Sequence, residues 1–160
     1  MGTSPAFQSS VGRWLRLTLR DAAWLPLVVL AAHLIAAYAL RLYQIVPQLD
    51  IPLHLLGGAA IGWLAHRGIA NAEPLDLWAA HHPITHVVSC MGVVALAAVL
   101  WECAEFIADA LFAVGAQRGL TDTMKDLALG LIGGALSIVA IIGVAGSIKQ
   151  PMTRVGERTA

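Results

Sequence analysis

The run Ile84–Leu100, almost free of charge, ends in Trp101-Glu102-Cys103-Ala104-Glu105-Phe106-Ile107-Ala108-Asp109. The apolar part is long enough to enter a bilayer as a helix, and the polar part gives that helix an unusual end. At 3.6 residues per turn, positions i, i+3 and i+7 share a face, so Glu102, Glu105 and Asp109 project within an arc of roughly 60°. Three carboxylates on one face of an apolar helix repel one another and resist desolvation. Such a set persists where a cation or shared protons sit among them.

Composition extends the membrane reading to the whole chain. Of 160 residues, 58% are hydrophobic and 12% charged, with a mean hydropathy of +0.74; a soluble domain carries about 25% charged residues. No basic patch interleaves with aromatic residues, so nothing points to a nucleic-acid partner. Cys90 and Cys103 fall on one predicted helix, about 20 Å apart at 1.5 Å per residue, too far to bridge.

Four spans follow from the pattern, making the expected fold an all-α, polytopic four-helix membrane bundle. Met1–Ser10 reads as a mobile tail. Arg13, Arg16 and Arg20 among Trp14, Leu15, Leu17 and Leu19 then form a short basic helix on the membrane surface. Residues 1–21 are thus a tail and interfacial helix, 22–148 the transmembrane domain and 149–160 a second tail. Span one is Ala22–Leu40; its length, and Arg41 directly after it, argue against a cleaved signal peptide. Span two runs from Asp50 to about His66, with Gly58 and Gly62 spaced for close helix approach, and Arg67–Pro83 reads as a polar loop. Span three is Ile84–Leu111, its acidic end reaching towards the interface. After a loop at 113–120, Thr121 is the expected N-cap of a last helix that spans Leu127–Ile148. Gly130, Gly133, Gly134 and Ser137 form its small-residue face.

With four spans the termini and the 67–83 loop share a side. That side holds Arg13, Arg16, Arg20, Arg67, Lys149, Arg154 and Arg158, against Arg41, Arg118 and Lys125 on the other. The excess of positive residues places both termini in the cytoplasm. Asp50 and His54, then Glu102, Glu105 and Asp109, then Asp122 and Asp126, all come to the outer leaflet. Carboxylates and an imidazole on facing helices are how helical bundles hold divalent metals. An oxygen-rich set suits Mg, Ca or Mn, and an imidazole extends the choice to Fe or Zn. Asp50, His54, Glu102, Glu105, Asp109, Asp122 and Asp126 are therefore the candidate ligands of a divalent metal ion; the competing reading pairs the acids with Arg118 and Lys125 at the water interface. His82 and His86, with His81, read as an interfacial loop cluster, His33 as a buried hydrogen-bonded histidine, and Trp101 as an interface anchor.

Asp50-x-x-x-His54 opens a glycine-containing span, and Trp101-Glu102-x-x-Glu105-Phe106 closes another. Asp122-Thr123-Met124-Lys125-Asp126-Leu127 precedes a small-residue-rich span carrying Gly133-Gly134. In this order the three resemble signatures of the VanZ-like and YjdF-like bacterial inner-membrane proteins, the YjdF-like branch more closely. The resemblance covers roughly residues 50–137. VanZ-like members carry Gln where Glu105 stands and Asn after the last Asp, which counts against glycopeptide resistance. What the resemblance implies is a small helical protein of the bacterial inner membrane with a polar cluster at one leaflet. Two functions are expected from that placement. One is an enzyme or binding protein that uses the cluster, with a metal, on a lipid or lipid-linked envelope molecule. The other is a non-enzymatic transporter subunit, ion or proton handler, or envelope-assembly factor. No single residue stands out as nucleophile or water-activating base, and oligomeric state is not readable.

Overall fold

A computed structural model of the chain describes residues 5–79, 82–112 and 115–148. All regular elements among these residues are helical: α1 (Pro5–Ala22), α2 (Trp24–Leu34), continued by a π-helical turn (Ile35–Ala39), α3 (Leu42–Ile45), α4 (Asp50–Ala72), α5 (Pro83–Phe112) and α6 (Leu120–Ile148). Short 3₁₀ turns precede and follow α4, at Pro47–Leu49 and Glu73–Leu75.

Two helices are long and apolar enough to cross a membrane, Pro83–Phe112 and Leu120–Val144. The pair Ala6–Ala22 and Trp24–Ala39, bent by 55°, supplies a third if it forms one span. By this criterion the count is two or three, not the expected four. The helix that falls short is α4, because Asp50, His54, His66 and Arg67 and several glycines dilute its hydropathy. The bend between α1 and α2 has a local cause. Pro26 has no N–H to offer the Ala22 carbonyl, and its ring crowds that turn.

The centre is a three-helix core. α4 and α6 run parallel, since Gly58 lies against Gly130 and Gly62 against Gly134 and Ser137. α5 runs antiparallel to both: Ala98 meets Gly130, Val94 meets Gly134, and Cys90 packs with Ala65 and Ile138. The small-residue faces expected in spans two and four therefore do meet. Without side chains at Gly58 and Gly133, the α4 and α6 backbones approach until a Cβ at either position would collide with the opposite main chain, at Gly130 and Leu55 respectively.

Several expected boundaries move. Residues 5–10 are helical, not a loose tail, because α1 docks on the far end of α4. Trp14 Nε1 donates to the Gly68 carbonyl at 2.7 Å, and Arg67 pairs with Asp21 at 2.9 Å. The same docking carries α4 through Ala72, well into the stretch expected to be loop. Thr121 is not the N-cap of α6. The helix begins at Leu120, and the Gly119 carbonyl accepts the N–H groups of Asp122 and Thr123, with Gly119 itself at φ +112°. Residues 149–160 and His81 lie outside the described residues.

Candidate functional site

At one end of the core the starts of α4 and α6 and the acidic segment of α5 come together, and buried polar groups collect between them. Asp50, Glu102, Glu105 and Asp126 are each 7% exposed or less. Glu102 and Glu105 turn into the bundle.

His54 is the hub. Its Nε2 lies 3.2 Å from Asp50 Oδ1 and 3.9 Å from Asp126 Oδ2. Two overlapping sets of ligand atoms lie within 4.8 Å of one another: Asp50, His54 and Asp126, and His54, Glu102 and Glu105. The two sets share the imidazole, so one side chain faces four carboxylates from three helices. The register explains it: Asp50 and His54 are one turn apart on α4, and the α4–α6 glycine contacts directly below bring Asp126 alongside.

Fixed cations stand at the rim. Arg118 Nη2 donates to Asp50 Oδ2 at 2.6 Å, and Arg118 Nε to Asp122 Oδ2 at 3.0 Å. Lys125 Nζ reaches Asp122 at 2.7 Å, Asp126 Oδ1 at 3.3 Å and Asp50 Oδ2 at 3.4 Å. The ion-pair reading thus holds for Asp50, Asp122 and Asp126. Among the described residues, no lysine or arginine pairs with Glu102 or Glu105. Asp50, Glu102, Glu105, Asp122 and Asp126 make five carboxylates, against Arg118 and Lys125 as two fixed cations. The interior of the cluster is short of positive charge.

Among the described residues, two buried side-chain atoms make no hydrogen bond, His54 Nε2 and Asp126 Oδ1; each has its nearest charged neighbour only at ion-pair distance, Asp50 Oδ1 at 3.2 Å and Lys125 Nζ at 3.3 Å respectively. Their side chains are 9% and 3% exposed. Buried polar atoms are nearly always hydrogen-bonded, and leaving one unmade costs about 1–3 kcal/mol. A bound cation would satisfy both atoms. Asp109 stands apart from this group. Its two oxygens accept the backbone N–H groups of Ala116 and Gln117, at 2.7 and 2.8 Å, so it shapes the α5–α6 connection.

Sequence reasoning missed a second layer. Trp101, read as an interface anchor, donates its indole N–H to Glu105 Oε1 at 2.9 Å. His33 Nε2 lies 3.6 Å from that same oxygen, and Tyr43 Oη lies 2.9 Å from His33 Nδ1. Burial, reinforced by the Asp50 and Glu105 carboxylates, raises the Tyr43 phenol above its ordinary pKa. It stays protonated; in the neutral His33 tautomer whose Nδ1 accepts from this phenol, the ring N–H is on Nε2, the side of Glu105. The i, i+4 spacing of Trp101 and Glu105 was the available signal. Tyr43 carried none, because the α3 turn that folds it back has no long-range pattern.

At the opposite end of the core, His66 Nδ1 and His86 Nε2 are 3.1 Å apart, with Cys90 Sγ 3.6 Å from the latter. The expected loop histidine His86 is therefore on α5 and bonded within the bundle.

The cluster opens onto a cavity of about 420 Å³. Val29, Leu30, Leu53, Ile61, Val94 and Ala97 supply apolar wall, and His33, His54, Glu102 and Asp126 its polar end.

A family model described as a predicted membrane protein (DUF2238) matches residues 6–146, which takes in the whole site. No curated protein matches the chain, and no solved structure does.

Proposed function

The chain belongs to that family of membrane proteins, and on this footing we propose that it holds a divalent cation within the bilayer, to act on a lipid or lipid-linked envelope molecule. The observation that carries the reading is His54. Its side chain is buried and ringed by Asp50, Glu102, Glu105 and Asp126 at the polar end of an apolar cavity. Carboxylate oxygens with one imidazole suit Mg or Mn, and also Fe or Zn. Ligand-binding sites combine an apolar lining with a few convergent polar groups, which is what this cavity presents. His54 would hold the ion with Glu102 and Glu105 or with Asp50 and Asp126; Arg118 and Lys125 brace Asp50 and Asp122. The resemblance to VanZ-like and YjdF-like proteins and the positive-residue asymmetry support a bacterial inner membrane with both termini cytoplasmic.

The competing reading is a non-enzymatic ion or proton handler, favoured by the Tyr43–His33–Glu105 string beside the cluster. Elemental analysis of the detergent-purified protein separates them. Stoichiometric metal, lost in both Glu102→Gln and Asp126→Asn, is the expected result. Proton flux in vesicles from a protein that retains no metal would overturn the cation reading and support the alternative.

A further inference from the structure

The cavity has a shape that the cation does not explain. It begins at the polar cluster and extends along the bundle to Pro26, Ile61 and Val94, lined almost wholly by hydrocarbon. α2 packs on α4 and α1, but not along α5. The two meet at the polar end, where the His33 ring stands edge-on to Trp101 with centroids 4.8 Å apart. Below that bridge α2 and α5 both line the partly open cavity, with Pro26, Val29 and Leu30 on one and Val94, Ala97 and Leu100 on the other. An apolar void that faces lipid fills with hydrocarbon, since no polar group there would hold water.

We propose that this cavity takes one hydrocarbon chain of a lipid with an anionic oxygen headgroup, admitted sideways from the bilayer between α2 and α5, with the headgroup at His54 and Asp126. This rests on the cation reading. Five carboxylates would repel an anionic group unless a divalent ion stood between, and Mg²⁺ is typically held by one or two carboxylates together with a ligand phosphate. Charge and shape then select one class of occupant. A soluble anion lacks the chain, and a chain without the headgroup has nothing to meet the ion. His33 and Trp101 close the roof over the point where head and chain join, which makes them positioning residues for the lipid.

The test uses the full-length protein in phosphatidylethanolamine vesicles doped with a phosphatidic acid whose acyl chain carries a diazirine. After irradiation with Mg²⁺ present, labelled residues are mapped by peptide mass spectrometry. Labelling concentrated on Leu30, Ile61 and Ala97 supports the proposal. Labelling no greater there than on Leu96 and Val139, which are 61% and 67% exposed on the outer surface, overturns it. Ala97→Phe and Leu30→Phe fill the cavity from opposite walls and should each lower cavity labelling by about tenfold or more, the equivalent of 1.4 kcal/mol. Undiminished labelling in either variant that elutes as a folded species counts against the pocket. Repeating the experiment in EDTA separates the two readings. Loss of labelling ties the headgroup to the ion; unchanged cavity labelling overturns the headgroup assignment. Metal bound stoichiometrically by a protein whose cavity is never labelled leaves the cation site standing and overturns the lipid.

Discussion

At the residue scale, the chemistry turns on which carboxylates are answered and which are not. Asp50 and Asp122 have Arg118 and Lys125; Asp109 has two backbone amides. Glu102 and Glu105 have no lysine or arginine partner among the described residues, and both lie within reach of His54. Two like charges about 4 Å apart repel by about 4 kcal/mol at an effective dielectric of about 20, so an empty, fully ionised cluster is strained. Glu102→Gln and Glu105→Gln relieve that repulsion, and apo thermal stability in detergent should hold or rise in both. The parent should gain about 2.7 kcal/mol from metal at a hundredfold excess over Kd, and the variants should gain nothing. A comparable loss of apo stability in both would mark them as structural partners instead. Asp109→Asn gives the opposite pattern: metal uptake is kept, while hydrogen exchange at the Ala116 and Gln117 amides speeds up. Protection unchanged at those amides would contradict the loop-shaping role.

At the scale of elements, the site exists because α4 and α6 touch through glycine. Gly58→Leu places a side chain into the Gly130 main chain, where nothing flexible can yield. The expected cost is about 3 kcal/mol or more, together with loss of metal binding as Asp126 moves away from His54. Gly92 offers the control, because a Cβ there meets nothing within 4 Å. Gly92→Ala should stabilise α5 by roughly 0.5–1 kcal/mol through lost backbone freedom in the unfolded chain. Equal melting temperatures for the two variants would mean that glycine identity at position 58 is irrelevant to packing. These contacts were legible in advance because small residues four apart have few other uses on an apolar helix. The convergence of Asp50, His54, Glu102, Glu105 and Asp126 was legible for a related reason, as charge in an apolar helix is scarce. What stayed hidden depends on chain reversal. Tyr43 reaches His33 through an irregular turn, and α4 continues past His66 because α1 covers it, neither of which leaves a periodic trace. Asp109 shows the limit of face arithmetic: it shares the helical face of Glu105, yet the loop takes its carboxylate.

At the scale of the whole molecule, α4 poses the remaining problem. Taken alone it is too polar to pass as a span, yet it lies parallel to α6 from Gly58 beside Gly130 to Ala65 near Ile138. A helix matched in depth to a spanning neighbour over that length is expected to cross beside it. Its polar groups are answered from within: Asp50 and His54 by the cluster, His66 by His86, Arg67 by Asp21. The cost of taking them into the bilayer is offset by the bundle and does not show in the hydropathy of α4 by itself. Four crossings are therefore predicted, with residues near Gln44 and the Ala116–Gly119 connection on one side, and the turn at Asp76 and the end of α6 on the other. The positive-residue asymmetry predicts that the second group is cytoplasmic. Reporters active only in the cytoplasm should function when inserted after Asp76 or fused after Gln150, and fail when placed after Gln44 or Gln117. If the Gln44 and Asp76 insertions report the same side, α4 does not cross. If all four report the reverse, the helices stand as described but the cation site faces the cytoplasm, and its lipid must be sought in the inner leaflet.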